Sequence, residues 1–166
     1  MTATHTTAST TGKGVQPWTA RSLLFVPGDS PRKLEKALTG EADLIILDLE
    51  DSVAPSAKPG AREHVAQALG QGARSKPLWV RINPLDTPDA MQDLVAVVQH
   101  RPDGIMLPKA RGRADVERLD HYLSALEAAH GIAPGSTKVA ALVTETAGSM
   151  FHTGDYAGCA RLVAMS

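Results

Sequence analysis

At 166 residues, with 43% hydrophobic and 21% charged side chains, the chain has the size and composition of one globular domain with its own core. A net charge of -1, only 4% aromatics and no apolar run near the roughly 20 residues of a membrane helix argue against nucleic acid and membrane as partners. The single cysteine, Cys159, excludes an internal disulfide.

Met1 to Gly14 is mostly Thr, Ala, Ser and Gly without an apolar h-region, so residues 1–20 are expected to be a disordered tail rather than a secretory signal. Residues 21–166 form the expected domain, with cytoplasmic placement. Ser22 to Val26 reads as a first strand, closed by Pro27-Gly28. Asp29 or Ser30 can then cap a helix with Pro31 in its first turn, and Gly40 ends it. Leu44-Ile-Ile-Leu47 reads as a strand buried on both faces. Three carboxylates, Asp48, Glu50 and Asp51, follow it within four residues. Like charges this close are costly unless cations or hydrogen-bond donors compensate.

A helix is expected from about Ala61, with Val65, Ala68 and Leu69 inward. Leu78 to Ile82 is the third strand, stopped at Asn83-Pro84. Pro88 to about Gln99 is a helix whose apolar stripe is Met91, Leu94, Val95 and Val98. Gly104 to Leu107 is the fourth strand, ending at Pro108-Lys109. A helix from about Ala114 to His130 places Val116, Leu119, Tyr122, Leu123 and Leu126 inward. Lys138 to Val143 and Leu162 to Met165 read as the fifth and sixth strands.

Regular strand–helix alternation with short loops implies a parallel sheet with right-handed crossovers. An open doubly wound sheet and a TIM (β/α)8 barrel both fit, and both place ligands at the carboxyl ends of the strands. No Gly-x-Gly-x-x-Gly follows the first strand. Polar groups do close nearly every strand: Asp29, then Asp48/Glu50/Asp51, Arg81/Asn83, Lys109 and Glu145. A barrel gathers these on one rim, which favours the barrel. A complete one takes about 250 residues, so the expectation is a barrel C-terminally truncated to about six strands.

Such a rim mixes carboxylates (Glu50, Asp51, Glu145) with cations (Arg81, Lys109), a combination suited to a divalent metal and an anionic substrate. Mg²⁺ takes one or two carboxylates plus waters and substrate oxygens. Arg81 offers a planar fork that can grip a carboxylate. It also fits a purely structural pair with Glu50 or Asp48. Lys109 also fits a solvated helix start, and Glu145 a helix-capping carboxylate. The histidines share no zinc spacing, and no Gly-x-Ser-x-Gly elbow is present.

Arg21-Ser-Leu-Leu-Phe-Val-Pro-Gly-Asp29, Ile46-Leu-Asp-Leu-Glu-Asp-Ser-Val-Ala-Pro55, Val80-Arg-Ile-Asn-Pro-Leu-Asp86, Gly104-Ile-Met-Leu-Pro-Lys109 and Glu145-Thr-Ala147 together resemble the citrate lyase β-subunit family. This group of CoA-ester lyases includes malyl-CoA and citramalyl-CoA lyases. The resemblance implies a TIM barrel, assembled as a homotrimer or hexamer. It also implies Mg²⁺-dependent carbon–carbon cleavage of a 3-hydroxyacyl-CoA, giving an oxo-acid and an acyl-CoA. Carried over motif by motif, Glu145 resembles one of two carboxylate metal ligands and Arg81 the clamp on the oxo-acid. Glu50 and Asp51 resemble acids that hold water on the metal and orient Arg81. Phe25, Arg32 and Lys36 fall where relatives hold CoA.

The resemblance places the second metal ligand, an aspartate, beyond Ser166. The sequence is therefore expected to be a fragment or truncated product with weak or no activity of its own. Two alternatives accompany this reading: an inactive homologue acting as an assembly or binding partner of a full-length lyase, and a metal-dependent aldolase acting on free oxo-acids.

Overall fold

A computed structural model describes residues 19–166, so the expected tail falls, save its last two residues, outside the described ones. Six strands, β1 (Leu23–Pro27), β2 (Leu44–Asp48), β3 (Leu78–Arg81), β4 (Gly104–Leu107), β5 (Lys138–Ala141) and β6 (Leu162–Met165), form one sheet. Every pairing is parallel, and the spatial order β1-β2-β3-β4-β5-β6 follows the chain. A doubly wound sheet reverses its strand order at a switch point. This sheet never does, so the six strands are the arc of a (β/α)8-type barrel.

The two faces of the sheet agree with that assignment. Side chains alternate across a strand. Ile45, Leu47, Val80, Ile105, Leu107, Val139 and Ala141 share one large core with residues of all four helices: α1 (Pro31–Leu38), α2 (Lys58–Leu69), α3 (Pro88–Val98) and α4 (Arg113–Ala129). Each fully buried Leu or Ile there contributes about 1.5–3 kcal/mol. The opposite face carries a smaller cluster of Leu44, Ile46, Trp79, Met106 and Ala140, with no helical residue in it. Helices thus cover one face only, and the other lines the barrel interior. β2 is buried along its whole length, as its uninterrupted apolar run requires. Gly104 is dictated by packing inside the barrel, because a Cβ at that position would fall 2.5 Å from the Trp79 ring.

Three of the four helices carry Pro in the first turn, where the missing N–H costs nothing. Ser30 is the N-cap residue of α1 but makes no side-chain cap hydrogen bond. Its carbonyl accepts the Lys33 and Leu34 amides instead. α2 begins at Lys58 rather than near Ala61, led in by a 3₁₀ turn over Pro55–Ala57. The stripe expected for α3 needs correction. Met91 and Val95 are 39% and 49% exposed, while Ala90, Leu94, Val97 and Val98 face the core. Apolar residues surround this helix on several sides, so periodicity alone could not choose the buried one. After β5 the chain enters a 3₁₀ segment, Gly148–Tyr156. Among the described residues no helix is long and apolar enough to cross a membrane.

Candidate active site at the carboxyl ends of the strands

Asp48 and Arg81 are register partners at the ends of β2 and β3, on the face that lines the barrel. Arg81 donates two parallel hydrogen bonds to Asp48, Nε to Oδ1 and Nη2 to Oδ2, both 2.7 Å. The Asp48 oxygens also accept the amides of Glu50 at 2.9 Å and Ser52 at 3.1 Å. Burial pushes the Asp48 carboxyl up, but these hydrogen bonds outweigh it and hold the group below the usual carboxylate range. Phe25, on β1, stacks against the same guanidinium, with the ring centroid 4.8 Å from Arg81 Cζ.

Glu50 sits beside this pair with its side chain only 3% exposed. Its Oε1 accepts a short hydrogen bond from Lys109 Nζ. Its Oε2 lies 3.2 Å from Arg81 Nη1 but makes no hydrogen bond. Burial pushes the Glu50 carboxyl above its ordinary value, against the pull of Lys109 and Arg81. Asp51 is the exposed member of the acidic run, its Oδ1 3.8 Å from Lys109 Nζ. Glu145 closes the rim from the β5 side, where its Oε2 accepts the Lys109 amide at 2.6 Å. The 3₁₀ segment that follows is capped at Ala147 with no side-chain cap hydrogen bond, so Glu145 is not a helix cap. Lys109 itself has φ 51°, in the left-handed region that non-glycine residues seldom adopt.

A second layer beneath the rim was not singled out by sequence reasoning. Lys58, at the start of α2, is buried and donates to Leu49 O at 2.8 Å, Glu50 O at 3.2 Å and Asn83 Oδ1 at 2.6 Å. Asn83 Nδ2 donates in turn to Leu49 O and Asp93 Oδ2, and Asp93 accepts Arg62 Nε at 2.7 Å. This chain of buried polar groups fixes the turn that presents Asp48, Glu50 and Asp51. The only sequence hint was Asn83 at a strand end.

Of the residues expected to act together, the fold brings Phe25, Glu50, Asp51, Arg81 and Glu145 to one rim, with Asp48 and Lys109 between them. Arg32 and Lys36 lie apart, one turn from each other on the exposed side of α1, and flank a shallow hollow with Ser30, Lys33, Glu35 and Thr39. Among the described residues neither makes an ion pair.

For a divalent cation, no three His, Cys, Asp or Glu side chains among the described residues form a cage. A hard ion such as Mg²⁺ does not require one, since waters and substrate oxygens complete its shell. Glu145 Oε1 has no protein partner among the described residues, and the donors nearest it across Lys109 are the carboxylates of Glu50 and Asp51. That donor chemistry fits a hard cation.

Residues 21–157 match the HpcH/HpaI aldolase/citrate lyase family, most of the chain. The chain belongs to this family. It is 41% identical over 152 residues to an L-malyl-CoA/beta-methylmalyl-CoA lyase of Cereibacter sphaeroides, covering 88% of this chain and 47% of that one. It is 38% identical over 134 residues to citrate lyase subunit beta of Haemophilus influenzae, covering 77% and 44%. Among solved structures, the CitE protein of Mycobacterium tuberculosis in complex with magnesium and acetoacetate matches with a TM-score of 0.68 at 34% identity, over 88% of this chain and 53% of that one. A Haloferax volcanii malate synthase matches with a TM-score of 0.75 at 20% identity, over 88% and 50%, and shares the fold alone. The chain spans about half the length of the curated relatives it matches.

Proposed function

We propose that this chain carries the oxo-acid half of a Mg²⁺-dependent lyase site that cleaves a 3-hydroxyacyl-CoA of the citryl-, malyl- or citramalyl-CoA type. The products are an oxo-acid and an acyl-CoA. The observation that carries the reading is the state of Arg81. A guanidinium has five N–H donors, and Asp48 takes two of them. Those bonds, with the Phe25 ring, hold the fork still at the strand ends while leaving donors for a substrate carboxylate. A preorganised clamp of this kind binds an anion without first ordering a flexible side chain.

In this reading Glu145 would hold a Mg²⁺ ion. When bound, the ion supplies Lewis acidity that polarises the keto or hydroxyl oxygen of the oxo-acid fragment. Glu50 and Asp51 would orient water beside the ion, and Glu50 also lies against Arg81 and limits its movement. Cleavage breaks the bond between C2 and C3 of the acyl chain. The C3 hydroxyl gives up its proton to water beside Glu50 and Asp51 and becomes the oxo group, while the electron pair goes to the thioester fragment as an enolate, which takes up a proton at C2. Phe25 and the apolar barrel wall exclude water around the acyl group. Arg32 and Lys36 bind the phosphates of CoA from the α1 side. The homotrimer or hexamer belongs to the same proposal.

Incubation with Mg²⁺ and citryl-, malyl- or citramalyl-CoA, with the released oxo-acid trapped as its phenylhydrazone, tests this directly. Release from one of the three, lost on chelation and in Arg81→Lys, supports the proposal. A folded protein that neither releases any of the three oxo-acids nor binds one of them in a Mg²⁺- and Arg81-dependent way refutes it.

A further inference from the structure

Lys109 reaches three of the four rim carboxylates, all but Asp48. Its amide bonds Glu145 Oε2 at 2.6 Å, its ammonium bonds Glu50 Oε1, and the same ammonium lies 3.8 Å from Asp51 Oδ1. The backbone at this position is left-handed (φ 51°), with the amide on Glu145 and the side chain on Glu50. Rim cations differ in how firmly they are held. Arg81 is 13% exposed and doubly bonded to Asp48, whereas the Lys109 side chain is 43% exposed on a flexible four-carbon stem. Arg81 is fixed by two hydrogen bonds to Asp48, whereas the Lys109 ammonium is held by one to Glu50.

We infer that Lys109 is a place-holding cation: its ammonium balances the rim carboxylates until a divalent ion binds at Glu145, which then drives it off Glu50. The inference rests on the proposed cation site at Glu145. Arg81 and Lys109 already flank Glu50, so a dication added beside them repels the lysine ammonium strongly, and salt screens that repulsion poorly at contact distance. The incoming dication therefore competes with the lysine, and the observed affinity for metal is lowered by the work of displacing it. Arg81 stays in place through the exchange, because its charge is already matched by buried Asp48.

Direct Mn²⁺ titration of the protein, read by electron paramagnetic resonance of the free ion, tests this without any turnover. Wild type, Lys109→Gln, Lys109→Arg and Glu145→Gln are compared at constant ionic strength, with circular dichroism confirming the fold. Lys109→Gln is expected to bind Mn²⁺ about tenfold tighter than wild type or more, from the loss of one nearby like charge. Lys109→Arg is expected to match wild type, and Glu145→Gln to lose the site. Binding by wild type with equal or weaker binding by Lys109→Gln overturns the inference alone. Absence of Mn²⁺ binding in wild type and both Lys109 variants overturns the cation site and the inference together.

Discussion

Arg81 and Asp48 meet as a fork on a fork, two 2.7 Å hydrogen bonds between neighbouring strand ends. Asp48 is 1% exposed, so removing its carboxylate strands a guanidinium that is 13% exposed. Asp48→Ala is expected to cost about 3 kcal/mol, the low end for a broken buried pair because Glu50 remains beside the arginine. Urea denaturation at neutral pH measures it. A loss under 1 kcal/mol means the pair does not order the rim.

Glu50 has the opposite character. Its carboxyl is held above its ordinary value by burial, with one oxygen lacking a hydrogen bond. A raised carboxyl group costs nothing at low pH, where it is protonated in both folded and unfolded chains. It destabilises fully above its folded pKa. Glu50→Gln is therefore expected to be at least as stable as wild type at pH 7, with the difference shrinking as pH falls through the raised value. Thermal melts of both proteins across that range check the sign, and the same substitution is expected to abolish lyase activity.

Acid sensitivity should come instead from Asp48 and Glu127. Both carboxyls are held below their usual range: burial raises each, and hydrogen bonds outweigh it, from Arg81 at Asp48 and from Arg161 and two amides at Glu127. Their contribution is present above the ordinary carboxylate pKa and disappears as pH falls through the lowered folded values. Glu127 is fully buried and ties α4 to the start of β5 and to Arg161. In Glu127→Gln, acid unfolding followed by circular dichroism should depend less steeply on pH than in wild type.

Lys58 tests the layer beneath the rim. Lys58→Met leaves Leu49 O, Glu50 O and Asn83 Oδ1 without their common donor. An unsatisfied buried polar group costs about 1–3 kcal/mol. Because Asn83 Nδ2 still serves Leu49 O, the expected loss of stability is about 2 kcal/mol. Binding of an oxo-acid should weaken as well, since the turn that carries Glu50 loosens. An effect on stability without any effect on binding would confine Lys58 to the core.

Under the proposed function, Arg32 and Lys36 hold the CoA end of the substrate and Arg81 the oxo-acid end. Reversing both charges is expected to raise KM for the CoA thioester about tenfold or more, with a steeper dependence on salt in wild type than in the variant. Affinity for the free oxo-acid should not change. Equal KM values for wild type and the double variant place the CoA phosphates elsewhere.

Much of this was legible in the sequence because it is local. The apolar run Leu44–Leu47 and its abrupt acidic end identified β2, and polar residues at successive strand ends pointed to one rim. What escaped were relations between residues far apart in the chain. Lys58 lies ahead of the helix expected from about Ala61 and carries no signal until Asn83, 25 residues later, folds against it. Arg81 was readable as either a clamp or a structural ion pair, and the fold makes its pairing partner Asp48, with Glu50 alongside. In α3 the sequence Met-Gln-Asp-Leu-Val-Ala-Val-Val offers two apolar stripes, and only contact with the sheet selects the one containing Leu94 and Val97.

Calorimetric titration of glyoxylate, pyruvate and oxaloacetate into the protein, with Mg²⁺ and then with chelator, probes the strand-end site most directly. The account predicts saturable binding of at least one of them that requires Mg²⁺ and weakens about tenfold, or about 1.4 kcal/mol, in Arg81→Lys. Failure of all three to bind the folded protein, or binding indifferent to both Mg²⁺ and Arg81, would contradict it.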